Sequence, residues 1–196
     1  MASILKVDTI QDQSGNNIIN ENADTITIGA SGDTVNIIGT LQNNGAGVGG
    51  TNTPAFEAYL SSDQTVSDNA NTKAQFDTEV FDTDGCYDNS TNYRFTPTVA
   101  GKYYVYAGIS AETANSSYLV HNNIEIQKNG SQYKFIQNDF RDNYAFITTS
   151  QVDAIIDMNG TSDYLEIFAA MDVVSGTAKF DSSTKNTYFG AYKIIE

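Results

Sequence analysis

The chain holds 196 residues, 40% hydrophobic and only 17% charged, and its 24 acids against 10 bases leave a formal net charge of −14. That length carries one ordinary domain plus an appendage and can bury a sizeable core. The acidity excludes nucleic-acid binding, which needs basic patches to displace counterions from phosphate, and it repels anionic membranes and polysaccharides at long range.

Residues 1–44 contain no aromatic side chain and read as small strands of Ile and Val broken by Gly and Asn. The opening alternates Ile4, Leu5, Val7 and Ile10 before a Ser-Gly-Asn turn, a pattern suited to docking on another protein by strand pairing. This opening resembles those of structural proteins from marine tailed phages, where such segments anchor fibres to the particle. Two pieces then repeat, DTITIG from Asp24 and DTVNIIG from Asp33. A short strand cannot cover an aliphatic face alone, so the repeat needs neighbours from its own or identical chains. The expectation is three chains wound together, with Ile26, Ile28, Val35 and Ile37 or Ile38 lining a common axis.

Residues 45–53, opening with GAGVGG, read as a flexible linker, and Pro54 starts a head domain over 54–196. Alternation predicts strands at 55–60, 72–81, 93–96, 101–110, 124–127, 132–136, 145–154, 164–170 and 187–195. Asn129-Gly130 between two of them is the strongest short-range hairpin signal in the chain. Amide-rich stretches at 111–123, 137–144 and 172–186 read as loops, and no helical period occurs. The fold expected is all-β: an intertwined β-stem followed by an antiparallel jelly-roll sandwich.

The head's aromatics come in a telling order: Phe76, Asp82, Tyr87, Phe95, then Gly101-Lys102-Tyr103-Tyr104-Val105, and finally Tyr188-Phe189-Gly190. This run resembles the trimeric jelly-roll heads of the complement first component and tumour necrosis factor. Here one residue is extra between Tyr87 and Phe95, Val105 stands where that family has Phe, and Ala191 replaces a closing aromatic. The resemblance spans residues 54–196 and implies a homotrimeric jelly roll that binds other surfaces without catalysis; its ligands do not carry over.

The residues point to assembly independently. The 101–109 strand is apolar on both faces, with Tyr103, Val105, Ala107 and Ile109 on one and Tyr104 and Tyr106 on the other. The last strand sets Tyr188 and Tyr192 opposite Phe189 and Ala191. A two-layer sandwich leaves one face of each sheet in water, so a doubly apolar strand predicts a further cover, most economically an identical chain in closed symmetry. Tyr104, Tyr106, Tyr188 and Tyr192 are the expected interface of the head.

Catalytic chemistry finds little material. His121 is the only histidine and Cys86 the only cysteine, so no disulfide within the chain and no zinc set of three or four N or S ligands is available. There is no G-x-S-x-G elbow and no phosphate loop. The head is expected not to be an enzyme and to need no cofactor; Asp and Asn oxygens could hold a divalent cation such as calcium, but no dense D-x-D-x-D-G loop predicts one. MASILKVDTIQDQSG lacks the pattern of a secretory signal, and no apolar run reaches membrane-spanning length. The N-x-[ST] triplets at Asn89, Asn115, Asn129 and Asn159 then read as chance.

These readings converge on a virion fibre, on tail or head of a tailed bacteriophage and assembled in the host cytoplasm. Its N-terminal segment would meet a phage structural protein. Its head would meet a host-surface protein or glycan through loops carrying Tyr118, His121, Arg141 and Tyr144. The alternatives are a non-viral surface or coat protein with a trimeric interaction head, and a small trimeric polysaccharide depolymerase.

Overall fold

Strands and one 3-10 turn, Ser183–Lys185, are the only regular elements among the described residues. A computed structural model describes residues 9–11, 13–14, 17–22, 25–28, 31–39, 41–43, 46–47, 52–113 and 118–194. The chain divides into two units, Met1–Gly49 and Gly50–Glu196.

In the first unit, β1 (Thr9–Gln11), β2 (Asn17–Asn22) and β3 (Thr25–Ile28) form an antiparallel sheet in that order, and β4 (Gln42–Asn43) pairs with β5 (Ala46–Gly47). The first repeat, DTITIG, supplies β3. The second, DTVNIIG, corrects the expectation of two equivalent strands, because residues 33–37 are not in a strand. The aliphatics of both repeats are exposed: Ile26 is 68% exposed, Val35 50% and Ile38 97%. The alternation read at Ile4, Leu5 and Val7 lies outside the described residues.

The second unit is a sandwich of β6 (Ala55–Tyr59), β7 (Gln64–Val66), β8 (Thr72–Lys73), β9 (Thr78–Asp82), β10 (Tyr87–Asp88), β11 (Arg94–Phe95), β12 (Gly101–Thr113), β13 (Leu119–Lys128), β14 (Ser131–Asp139), β15 (Ile147–Met158), β16 (Leu165–Val173), β17 (Ala178–Phe180) and β18 (Tyr188–Lys193). One sheet runs β7-β17-β12-β18-β6-β9, with β15 along the other side of β12; its partner runs β10-β11-β16-β13-β14, with β8 also on β16. All pairings are antiparallel. Asn129 and Gly130 both take positive φ, 54° and 75°, and close β13 onto β14 as a two-residue hairpin.

Alternation decides what each strand buries. Tyr103, Val105, Ala107 and Ile109 of β12 are sealed between the sheets, while Tyr104 and Tyr106 point out. Phe56 is the hub of the core. Its ring stacks on Tyr87 at 4.5 Å and Phe95 at 4.6 Å and meets the edge of Phe189 at 4.9 Å. Offset and edge-on rings contribute beyond the area they bury. Val105, Ala191 and Phe56 lie in register across β12, β18 and β6. The two small residues that stand where the resemblance has aromatics are thus neighbours, and Phe56 fills the space beside them.

Four sequence expectations need correction. The single strand expected over 72–81 is two, β8 in one sheet and β9 in the other. Ala74 and Phe76 are both buried between them, and the Asp77 carboxylate accepts hydrogen bonds from Ser61 N at 2.8 Å and Ser61 Oγ at 2.7 Å, which holds the crossing in place. The 111–123 stretch is mostly strand, because β12 runs to Thr113 and β13 begins at Leu119. Likewise β14 continues to Asp139, and β17 lies within 172–186. Inward amides disguised these strands: Asn122 is buried and Asn138 half-buried, and both donate to Ser150 Oγ, at 2.6 and 2.7 Å.

At the open side of the sandwich, β15 is an edge strand. Two of its carbonyls are nonetheless occupied: that of Ile155 accepts the Tyr133 hydroxyl at 3.3 Å, and that of Asp157 accepts Lys128 Nζ at 2.6 Å.

Candidate functional site

The outward face of the β6-β18-β12-β15 sheet gathers tyrosines. Tyr104 and Tyr106 come from β12, Tyr188 and Tyr192 from β18, and Tyr59 from β6. Ring centroids lie 5.9 Å apart for Tyr104–Tyr106, 5.5 Å for Tyr104–Tyr192 and 6.1 Å for Tyr106–Tyr188. Alternation alone would stand these rings upright; two glycines lay them down. Tyr106 is in register with Gly190 and Tyr188 with Gly108. A Cβ on Gly190 would stand 2.4 Å from Tyr106 Cζ, and one on Gly108 would stand 2.6 Å from Tyr188 Cε1. Each ring therefore lies over the bare backbone of the glycine opposite.

Polar atoms on this face are engaged from its margins. The Tyr106 hydroxyl donates to Glu57 Oε2 at 2.8 Å, and Gln151 Nε2 donates to the Tyr188 hydroxyl at 2.8 Å. Burial first, and then that bond to the Glu57 carboxylate, pushes the Tyr106 hydroxyl pKa up; burial and the nearby Asp153 do the same for Tyr104. Ile155 stands in register with Tyr104 and is 57% exposed, and Tyr192 is 37% exposed. Farther along the open side, Tyr133, Ile136, Phe146 and Ile147 are also exposed. A flat aromatic field and a second apolar edge on one chain are what an assembly surface requires. Tyr59, Gly108 and Gly190 were missed in the sequence; the signal was the Tyr-x-Gly alternation of β18 meeting Tyr-x-Gly in β12.

The receptor candidates lie at one end of the sandwich, yet only partly on loops. Tyr118 is half-buried, and its carbonyl accepts Val174 N at 2.9 Å. His121 is on β13, opposite Asp139 of β14 and Asp172 of β16, with Nδ1 3.2 Å from Asp172 Oδ2. Arg141 folds back on Asp139 through Nε and Nη2, and Tyr144 is exposed. A cavity of about 570 Å³ is lined, among the described residues, by Asp139, Phe140, Arg141, Asp142 and Asn143. Cys86 is a buried thiol, with Sγ 3.7 Å from the Asp84 carbonyl.

The hydrogen bonds from Arg141, side chain first and backbone second, hold the Asp139 carboxyl at about 2, below its ordinary 3.8. A carboxyl whose pKa is depressed by folding adds stability above its unfolded pKa and loses it as pH falls toward about 2. Arg141→Ala is therefore expected to return the Asp139 titration toward the ordinary value, read from its side-chain carboxyl 13C shift between pH 5 and about 1.5. An unchanged titration would show that the loop backbone alone sets it.

No protein-family model matches this chain, and neither does any curated protein. Solved structures do. The globular domain of zebrafish complement 1qA protein matches 74% of this chain and 99% of its own, at 13% identity and a TM-score of 0.53. Murine APRIL at pH 5.0 matches 71% and 98%, at 8% identity and a TM-score of 0.50. Eiger TNF from S. frugiperda matches 72% and 91%, at 11% identity and a TM-score of 0.49. The head has the complement 1q-type jelly-roll fold.

Proposed function

We propose that this chain is the protomer of a homotrimeric virion fibre of a tailed bacteriophage, in which the N-terminal unit anchors and winds with its copies and the jelly-roll head meets the host surface. The observation that carries assembly is the tyrosine field of β12 and β18, flattened by Gly108 and Gly190. The apolar edge at Tyr133, Ile136, Phe146 and Ile147 is a different surface. Contact between unlike surfaces is heterologous and gives a ring where its rotation closes; a ring of three accords with the trimer implied by the resemblance. The uncovered Ile26, Ile28, Val35 and Ile37 of the first unit call for the same copies. The phage assignment rests on the opening sequence and the stem-then-head order. The reading as a binding module without catalysis is supported by the fold of the neighbours and by the lone histidine.

Removal of residues 1–49 tests the division of labour. The truncated chain is expected to unfold cooperatively, because the aromatic core lies wholly in Gly50–Glu196. It is also expected to be absent from particles assembled in infected cells, scored by immunoblot of purified virions. Normal incorporation would reverse the orientation and place the anchor in the head. Separately, the double variant Arg141→Ala/Tyr144→Ala is expected to lower particle adsorption to host cells while changing the melting temperature little, since both side chains are exposed. Wild-type adsorption would remove this loop from receptor binding.

A further inference from the structure

The outward face of the other sheet carries a second arrangement. Three strands, β14, β13 and β16, place two rows side by side: Phe135, Glu125 and Phe168 in one, Gln137, Asn123 and Ala170 in the next. Residues opposite one another across antiparallel strands bring their Cβ atoms to about 4.5–5.5 Å, so the six form one compact patch. Glu125 is only 4% exposed, unusual for a carboxylate on a solvent-facing side. Its Oε1 is fixed by Asn71 Nδ2 at 2.9 Å and by Gln127 Nε2. Its Oε2 has no hydrogen-bond partner among the described residues. Asn123 spends Oδ1 on the Ala170 N–H at 3.1 Å and keeps Nδ2 free, and the Gln137 amide is likewise uncommitted among them. Phe135 is 40% exposed beside these groups, whereas Ala170 is buried and the Phe168 ring carries Lys73 Nζ 5.6 Å from its centre.

We infer that this patch is a saccharide-binding site for an uncharged sugar ring. The inference deepens the host-attachment reading, on which its biological role rests, and it moves the contact from the end loops to a rigid sheet face. A sugar ring offers a C–H face for Phe135 and adjacent hydroxyls, one to donate to Glu125 Oε2 and one to accept from Asn123 Nδ2, with Gln137 able to do either. A carboxylate pinned through one oxygen is already oriented for such a bond. Charge selects against anionic sugars: Glu125 lies in the patch, the nearby Lys73 is already paired with Glu166 at 2.6 Å, and the whole chain is at −14.

The purified full chain on an array of neutral and anionic oligosaccharides tests this directly. Binding to neutral members is expected, with affinity for the strongest of them falling at least tenfold in Phe135→Ala and severalfold in Gln137→Ala. Phe135→Trp should retain it. Both alanine changes are at exposed positions, so unaltered melting curves would show that the fold is intact. A silent array, a response confined to anionic glycans, or binding indifferent to Phe135→Ala would overturn the site. The array reads the isolated chain, so a silent array with normal particle adsorption overturns the site and leaves attachment through the loops standing. Neutral-glycan binding lost in Phe135→Ala, with adsorption unaffected by deleting the head, supports the site and counts against the attachment role.

Discussion

The double variant Tyr104→Glu/Tyr192→Glu is expected to behave as a folded monomer of 21.3 kDa in light scattering, where the proposed trimer of the natural chain would give three times that mass. The two rings lie 5.5 Å apart in the open part of the tyrosine field. A carboxylate at each would meet apolar surface of the neighbouring copy with no cation to pair it. Leaving a charge buried and unpartnered costs roughly 3–5 kcal/mol, enough to abolish association at micromolar concentration. Neither position contributes to the interior of the sandwich, so folding should survive. Gly190→Ala offers a gentler version: its methyl would displace the Tyr106 ring from 2.4 Å and break the bond to Glu57, roughening the field without adding charge. A natural chain that is monomeric, or a double variant that keeps the assembled mass, would overturn the role given to this face.

Phe56→Ala should be the most damaging single change to the head, at about 3–5 kcal/mol. Phe56 is fully buried and touches three other rings. Its neighbours in the row are already small, Ala191 and Val105, so neither can fill the space. Urea unfolding of residues 50–196 would read the loss as a lower midpoint at unchanged slope. A loss below about 1 kcal/mol would mean that the core closes around the gap, against the residual-cavity account.

What could be read beforehand follows from how cleanly each strand alternates. β15 alternates over most of its length, the β13–β14 hairpin carries its Asn-Gly turn, and β12 shows both of its apolar faces, so the architecture and the tyrosines were legible. The crossing at 74–77 was not, because it preserves alternation while the chain changes sheets, and nothing local marks the change of partner. β7, β10 and β17 span only two or three residues, too short to show a period. The amides of β13 and β14 read as loop chemistry since a buried Asn looks like a turn residue until its partner, here Ser150 from a distant strand, is known. The same amides hid the patch around Glu125, which exists only through cross-strand register.

The occupied carbonyls of β15 have a consequence for crowding. A strand of twelve residues at the border of a sheet is a template on which an identical strand could be laid, and repeated laying is how fibrillar aggregates grow. Tyr133 and Lys128 consume two of the acceptors that such an intruder would need, and Asp153 and Asp157 set like charges opposite any copy of themselves. Along β15, chains packed closely while still newly made are thereby hindered from backbone-to-backbone pairing.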